Sequence, residues 1–189
     1  MNTNDDHKQS SKAEDTQLLF DKTSLLSELF KLLPKDSVLH EMEDMHPYEC
    51  DGLSAYRHLP MIVLLPDTVE QVQSIVRLCY EREVPVVARG AGTGLVGSAL
   101  NNGIILDMKN FDSIRLAKNH VTIGPGTIKG KLDKKLEKQE KFFPPNPSIG
   151  SFCSVGGMLG NNSSGSRSLK YGSVIEHVSE ITFDAVNGN

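Results

Sequence analysis

Four glycines between Gly90 and Gly97 give this chain its clearest chemistry. Gly92-Thr-Gly-Leu-Val-Gly97 fits the pattern G-x-G-x-x-G, and it follows an apolar run that ends at Ala88. Small residues in succession let backbone N–H groups converge on anionic oxygens, and Thr93 and Ser98 add hydroxyl donors. Arg89 heads the loop, where it either makes a charge-assisted contact with an anion or braces the loop itself. The chemistry is phosphate binding. A glycine turn with no ligand is the plain alternative, and the density of glycine directly after a buried run weighs against it.

The same pattern invites a Rossmann dinucleotide site, in which the loop opens a crossover helix. Only Ser98-Ala-Leu-Asn-Asn102 separate Gly97 from the next apolar run, whereas such a crossover takes at least ~10–12 residues. Asp107, which ends that run, also comes about ten positions early for a ribose-binding acid. The spacing excludes that fold.

Other reactive groups are scattered. Cys50, Cys79 and Cys153 are odd in number and far apart, against a disulfide framework or a structural zinc site. Cys153 reads as a small packed residue beside a second glycine-rich stretch. His46, His120 and His177 share no ligand spacing, so no metal set is assigned. Lys129, Lys131, Lys134, Lys135, Lys138 and Lys141 interleave with Asp133, Glu137 and Glu140 and lack aromatic companions. They read as a solvated helix face, not a nucleic-acid surface.

The loop must be held by ordered elements. Met61–Leu65 is wholly apolar, like a strand buried on both faces. Asp67 as N-cap with Glu70 three residues on forms a capping box. The helix it opens carries Val69, Val72, Ile75, Val76 and Cys79 at helical spacing. Val84–Ala88 and Gly103–Asp107 are further apolar strands, so a βαβ unit with parallel strands is expected. Ser113–Ala117 and His120–Ile123, parted by two polar residues, predict a hairpin. Residues 127–140 predict a helix with Ile128, Leu132 and Leu136 on one side, and prolines keep 142–148 irregular.

Upstream, Thr23 or Ser24 caps a short helix with Leu25, Leu26, Leu29, Phe30 and Leu33 on one side, closed by Pro34. Residues 35–59 read as loop, and residues 1–17 as a disordered acidic leader. At the other end Val178–Val186 alternates as a strand and meets Asn187-Gly188, a strong hairpin signal. The returning strand is absent, so the sequence reads as cut at the tip of a hairpin.

These segments carry a resemblance. Arg89-Gly-Ala-Gly-Thr-Gly-Leu-Val-Gly-Ser98 resembles the pyrophosphate-binding loop of FAD-linked enzymes in the vanillyl-alcohol oxidase/p-cresol methylhydroxylase (PCMH) superfamily. Within it, the chain is most similar to the D-lactate, glycolate-oxidase-subunit and D-2-hydroxyglutarate dehydrogenase branch. Three further segments agree in order: Tyr48–Gly52 with Pro60–Pro66, the Pro144–Ser148 turn, and Ser154–Gly165 with Lys170-Tyr-Gly172. In the turn, Asn146 departs from the family's Asp.

The resemblance implies that Arg89, Gly90, Ala91, Gly92, Thr93, Gly94, Leu95 and Ser98 wrap the pyrophosphate of FAD. It implies that Pro147, Ser148, Ser154, Gly156, Gly157, Asn161, Asn162 and Gly165 line the pyrophosphate and flavin, with Tyr171 and Gly172 finishing the pocket. Relatives that attach flavin covalently carry a histidine near the position of Thr93, so non-covalent FAD is expected here. The implied reaction oxidises a D-2-hydroxy acid to the 2-oxo acid. The substrate residues belong to a later domain, so no catalytic residue is assigned. An inactive remnant, or a subunit completed by a second polypeptide, is the alternative.

The implied fold class is α+β: a PCMH-type FAD-binding domain with a small parallel βαβ subdomain, then a mixed or antiparallel subdomain cut short. The expected boundaries are 1–17 for the leader, 18–57 for the N-terminal helix and approach loop, and 58–189 for the FAD-binding domain. Charge follows the same division: residues 1–51 hold 12 Asp/Glu against 5 Lys/Arg, and 14 of 16 glycines lie between Gly90 and Gly172. No apolar run approaches the ~20 residues that span a bilayer. The start lacks a secretory or mitochondrial pattern, and a cytoplasmic setting is expected.

Overall fold

Val63 and its neighbours in strand β2 (Ile62–Leu64) have no exposed surface at all, and the sheet forms around them. The computed structural model describes residues 22–185, so the leader 1–17 and the Asn187-Gly188 turn lie outside it. The sheet runs in the order β1-β2-β4-β3, with β1 (Val38–Leu39) antiparallel to β2. Strands β3 (Val86–Arg89) and β2 both pair in parallel with β4 (Ile104–Asp107), which places Val63, Ile105 and Val87 side by side. The parallel strands are as expected, but the third strand inserts between the first two.

Alternation along each strand sends successive side chains to opposite faces. Ile62, Leu64, Ile104 and Leu106 pack against Leu25, Leu29 and Leu33 of the N-terminal segment and Val72, Ile75 and Cys79 of α3 (Val69–Glu81). Each such side chain, fully buried, contributes about 1.5–3 kcal/mol relative to exposure. Val63 and Ile105 meet Met45 of α2 (Met42–Met45) on the other face, with Leu39 and Tyr48.

Several local readings shift. Helix α1 already runs at residue 22 and continues to 32, so Thr23 and Ser24 lie inside it. The capping box of α3 is Thr68 with Gln71, one residue past the Asp67/Glu70 pair, because the hydroxyl of extended Thr68 accepts the Gln71 N–H. Val69 then falls on the exposed side. Residues 35–59, read as loop, contain β1 and α2. Two residues are too few to show periodicity, yet Val38 is buried against the sheet.

Downstream, β5 (Ile114–Leu116) and β6 (Val121–Ile123) form the expected hairpin. Helices α4 (Lys129–Glu137), α5 (Val155–Gly160) and α6 (Ser168–Tyr171) follow, with a small core of Cys153, Met158 and Val174. Parallel sheet, antiparallel hairpin and flanking helices make the fold α+β.

Residues 178–185 are not a strand. Alternation supplies two faces but no ladder, and among the described residues no strand runs beside them to share hydrogen bonds. Ile181 and Phe183 are left exposed, while Asp184 accepts a hydrogen bond from Gln73 Nε2 at 2.9 Å.

Candidate cofactor site

Arg89 closes β3 opposite Asp107 of β4, and the glycine loop leaves from it. Its side chain is buried at 7% exposure. Nη2 donates to the Cys50 carbonyl at 2.9 Å, and Nη1 donates to the carbonyls of Ala99 at 3.3 Å and Tyr48 at 3.4 Å. The guanidinium also lies 5.4 Å from the centre of the Tyr48 ring. Of its two possible roles, the contacts are those of a brace. It ties both ends of the loop to residues 48–50.

That segment forms a floor beneath the loop. Asp51 is buried at 7% exposure; its Oδ2 accepts the Gly97 N–H at 3.0 Å and its Oδ1 the Leu53 N–H at 2.8 Å. A Cβ at Gly52 would stand 2.7 Å from the Gly94 carbonyl oxygen, so only glycine lets the floor approach so closely. Tyr48 donates its hydroxyl to Asp107 Oδ2 at 2.8 Å. Burial pushes the Tyr48 phenol up most strongly and the Asp107 carboxylate adds to it, against the opposing pull of Arg89. Tyr48 and Asp51 were not among the candidate site residues. The available signal was their position in the segment that resembles the family ahead of the first strand.

The loop's geometry suits an anion. Among the described residues, the N–H groups of Gly92, Thr93, Gly94 and Leu95 find no acceptor. Gly92 has a φ of +64°, a conformation that favours glycine and turns the chain over the Arg89 guanidinium. No helix intervenes before β4, so the loop itself returns the chain across the sheet. That is the non-Rossmann connection expected from spacing.

A second wall abuts the first at one point. Ser154 is 2% exposed and caps α5, its Oγ accepting the Gly157 N–H at 3.2 Å. A Cβ at Gly90 would stand 1.9 Å from that Oγ, so the two glycine-rich stretches touch there. Ser154 bridges to Ile128, and the Gly156 N–H donates to the Pro125 carbonyl at 2.8 Å, fixing this wall to the hairpin side.

Farther along, Asn161 and Asn162 are both exposed, and Asn162 Oδ1 accepts the Ile175 N–H at 3.0 Å. Gly165, at φ +118°, bridges to Asn146, which joins this stretch to the Pro147-Ser148 turn. Tyr171 and Gly172 make their contacts elsewhere. The Tyr171 ring meets Phe142 edge-on at 5.6 Å, and its carbonyl accepts from His177 Nε2 at 2.7 Å. Gly172 packs on the Glu176 carboxylate.

The arrangement is a ledge of backbone donors joined to a capped, glycine-rich wall. An open groove beside α3 at Val76–Val86 and another beside the β5–β6 hairpin include no residue of either stretch. Among the described residues no group of three His, Cys, Asp or Glu gathers as a metal would require, and no helix is long and apolar enough to cross a membrane.

Residues 60–189 match the FAD binding domain family. The chain belongs to that family. Its cofactor is FAD, and the donor-rich loop and close-packed glycines fit a dinucleotide with a dianionic pyrophosphate. The chain is 38% identical over 173 residues to glycolate oxidase subunit GlcD of Escherichia coli K12, a match spanning 89% of this chain and 35% of the relative. It is 32% identical to D-2-hydroxyglutarate dehydrogenase of Haemophilus influenzae over 71% of this chain and 14% of that protein. A solved p-cresol methylhydroxylase superposes with a TM-score of 0.55 at 23% identity, over 63% of this chain and 25% of that one. The PCMH-type fold expected from the motifs is therefore the fold observed. The chain spans about a third of the length of the GlcD relative, at 35%.

The cysteines offer a check on the packing. Cys79 is 1% exposed in the α3 core and burial pushes its thiol up to about 11; burial also raises the Cys153 thiol. Only thiolate reacts with alkylating reagents. With the native FAD-binding chain at neutral pH, Cys50 is expected to be alkylated first, and Cys79 and Cys153 only on unfolding. Mass mapping of the labelled residues checks this, and rapid labelling of native Cys79 would mean that the α3 core is open.

Proposed function

We propose that this chain holds FAD non-covalently as the cofactor cradle of an oxidoreductase that oxidises a D-2-hydroxy acid to the 2-oxo acid. The observation that carries the proposal is the junction at Gly90 and Ser154, beside four loop N–H groups with no acceptor among the described residues. On this reading the N–H groups of residues 91–95, with the Thr93 and Ser98 hydroxyls, bind the pyrophosphate. Arg89 and Asp51 hold the loop in shape without touching the cofactor. Gly156, Gly157, Asn161, Asn162 and Gly165 admit and orient the flavin, with Pro147, Ser148, Tyr171 and Gly172 at its margin. When bound, FAD supplies the two-electron redox chemistry, and the protein supplies position and a donor-lined surface.

The names of the relatives support the substrate class, glycolate and D-2-hydroxyglutarate being the acids concerned. Thr93 supports non-covalent attachment, since its hydroxyl stands where relatives that attach flavin covalently carry a nucleophilic imidazole. We further propose that the substrate site is furnished by polypeptide beyond the third of the relatives' length matched here, whether in the same chain or in a second subunit.

Acid precipitation of the FAD-loaded chain is expected to release all its flavin into the supernatant. Under argon, the loaded chain alone should keep an oxidised flavin spectrum with glycolate, D-lactate or D-2-hydroxyglutarate. Co-expression with the polypeptide that supplies the substrate site should restore bleaching. Flavin that stays with the pellet would contradict the non-covalent reading, and a completed complex unbleached by all three acids would contradict the substrate class.

A further inference from the structure

Lys129 is only 2% exposed and heads the largest fully buried side chains among the described residues. A buried ammonium is strongly disfavoured unless it is paired, so its partners matter. Nζ lies 2.5 Å from Asp133 Oδ2, one turn along α4, and donates to Asn146 Oδ1 at 3.3 Å. The remaining lysines of this run lie outside the buried set, so the solvated face expected from the sequence fails at this position. Asp133 does not explain the burial. Its side chain is 41% exposed, and a lysine–aspartate pair four residues apart forms readily on a helix surface. Burial is what brings the ammonium to Asn146.

The surroundings are built for that reach. A Cβ at Gly150 would stand 3.4 Å from Lys129 Cδ and 3.2 Å from Asn146 Oδ1, so the glycine leaves a channel for the lysine stem. The Lys129 N–H donates to the Cys153 carbonyl at 2.9 Å, fixing the start of α4 beside Ser154. Asn146 donates its own N–H to the Ser164 carbonyl at 3.0 Å and bridges to Gly165, where a Cβ would strike its carbonyl oxygen. Pro147 and Ser148 follow at once.

We propose that Lys129 is a positioning residue for the cofactor cradle: its buried ammonium, anchored by Asp133, fixes Asn146 and so holds the Pro144–Ser148 turn against Gly165. This rests on the reading of that turn as part of the FAD cradle. Lys129 does not touch the cofactor. The acceptor at 146 is neutral, so a carboxylate in its place finds the ammonium waiting.

Hydrogen exchange of residues 144–150 in the FAD-free chain, with FAD titrations of the same proteins, tests the proposal. Lys129→Met and Asn146→Ala are each expected to speed exchange in that segment and weaken FAD binding by about tenfold. The double variant should be no worse than Lys129→Met alone, since the two residues act through one contact. Asn146→Asp should bind FAD within about threefold of the parent, but Lys129→Met combined with Asn146→Asp should lose at least a further tenfold, about the effect of stranding a half-buried carboxylate without its cation. Should Lys129→Met not fold, Asn146→Ala leaves the Lys129–Asp133 pair intact and decides alone. Unchanged exchange and affinity in the single variants would overturn the proposal. A parent chain that takes up no FAD would instead refute the cradle reading, and the exchange data would still decide what Lys129 does to the turn.

Discussion

Gly90→Val is expected to abolish useful flavin uptake while the sheet and its first core stay folded. The Cβ alone would stand 1.9 Å from Ser154 Oγ and 3.0 Å from Ser154 Cβ. Ser154 has nowhere to go: it is buried, its hydroxyl caps α5, and its backbone bridges to Ile128. Relief comes only by parting the two walls. Overpacking of this kind costs about 1–3 kcal/mol, and a lost helix cap costs about 1 kcal/mol more. Donors displaced by more than an ångström no longer converge on one pyrophosphate, so FAD affinity should fall by about 100-fold or more, equivalent to about 2.7 kcal/mol. Fluorescence titration measures it. Gly160→Ala is the control, because nothing lies within 4 Å of a Cβ there. Equal affinity for Gly90→Val and the parent would mean that the two stretches do not form one site.

Arg89→Met is expected to cost stability before it costs binding. The guanidinium donates to three backbone carbonyls, of Tyr48, Cys50 and Ala99, and removing it leaves these half-buried groups without their charged donor. Three hydrogen bonds from a charged group to half-buried carbonyls suggest a loss of about 3–5 kcal/mol. For a chain of this length that lowers the melting temperature by roughly 10 °C. Arg89→Lys should recover little, since an ammonium cannot span three separated carbonyls as the planar fork does. Thermal melts followed by circular dichroism measure both variants. A charge-reading alternative, in which Arg89 contacts phosphate directly, predicts the reverse: near-normal melting with lost FAD affinity, partly rescued by lysine.

The parts of this fold legible in the sequence were those with a strong apolar rhythm. Strands β2, β3 and β4, helix α3 and the β5–β6 hairpin stand where their patterns place them, within a residue or two. The capping box slipped by one because Asp67/Glu70 and Thr68/Gln71 both satisfy the spacing, and only backbone geometry chooses between them. Contacts made by isolated polar residues were invisible. Tyr48 and Asp51 sit in a stretch without periodicity, yet their side chains hold Asp107 and the Gly97 N–H. Lys129 fails for the opposite reason: a periodic lysine run says nothing about which member turns inward. Residues 178–185 show the limit of alternation, since pairing depends on a neighbour that the segment's own residues do not specify.

For the candidate site, the glycine positions were informative because their reasons are geometric. Gly90 meets Ser154, Gly52 meets the loop carbonyls, and Gly156 meets Pro125, each too close for a Cβ. Which glycines face the cofactor and which serve internal packing could not be separated by spacing. Gly156 and Gly165 have internal partners that require them, whatever else they admit.

The central claim is that the N–H groups of residues 91–95, with the Thr93 and Ser98 hydroxyls, hold the pyrophosphate of FAD. Titration of the folded, flavin-free chain with FAD and, in parallel, with FMN tests it most directly, because FMN carries the same flavin and one phosphate but lacks the AMP half that completes the pyrophosphate. Saturable one-to-one quenching is predicted for FAD, with FMN weaker by at least about tenfold, the share of one charged contact pair. A folded chain that ignores FAD, or binds the two flavins equally, would contradict it.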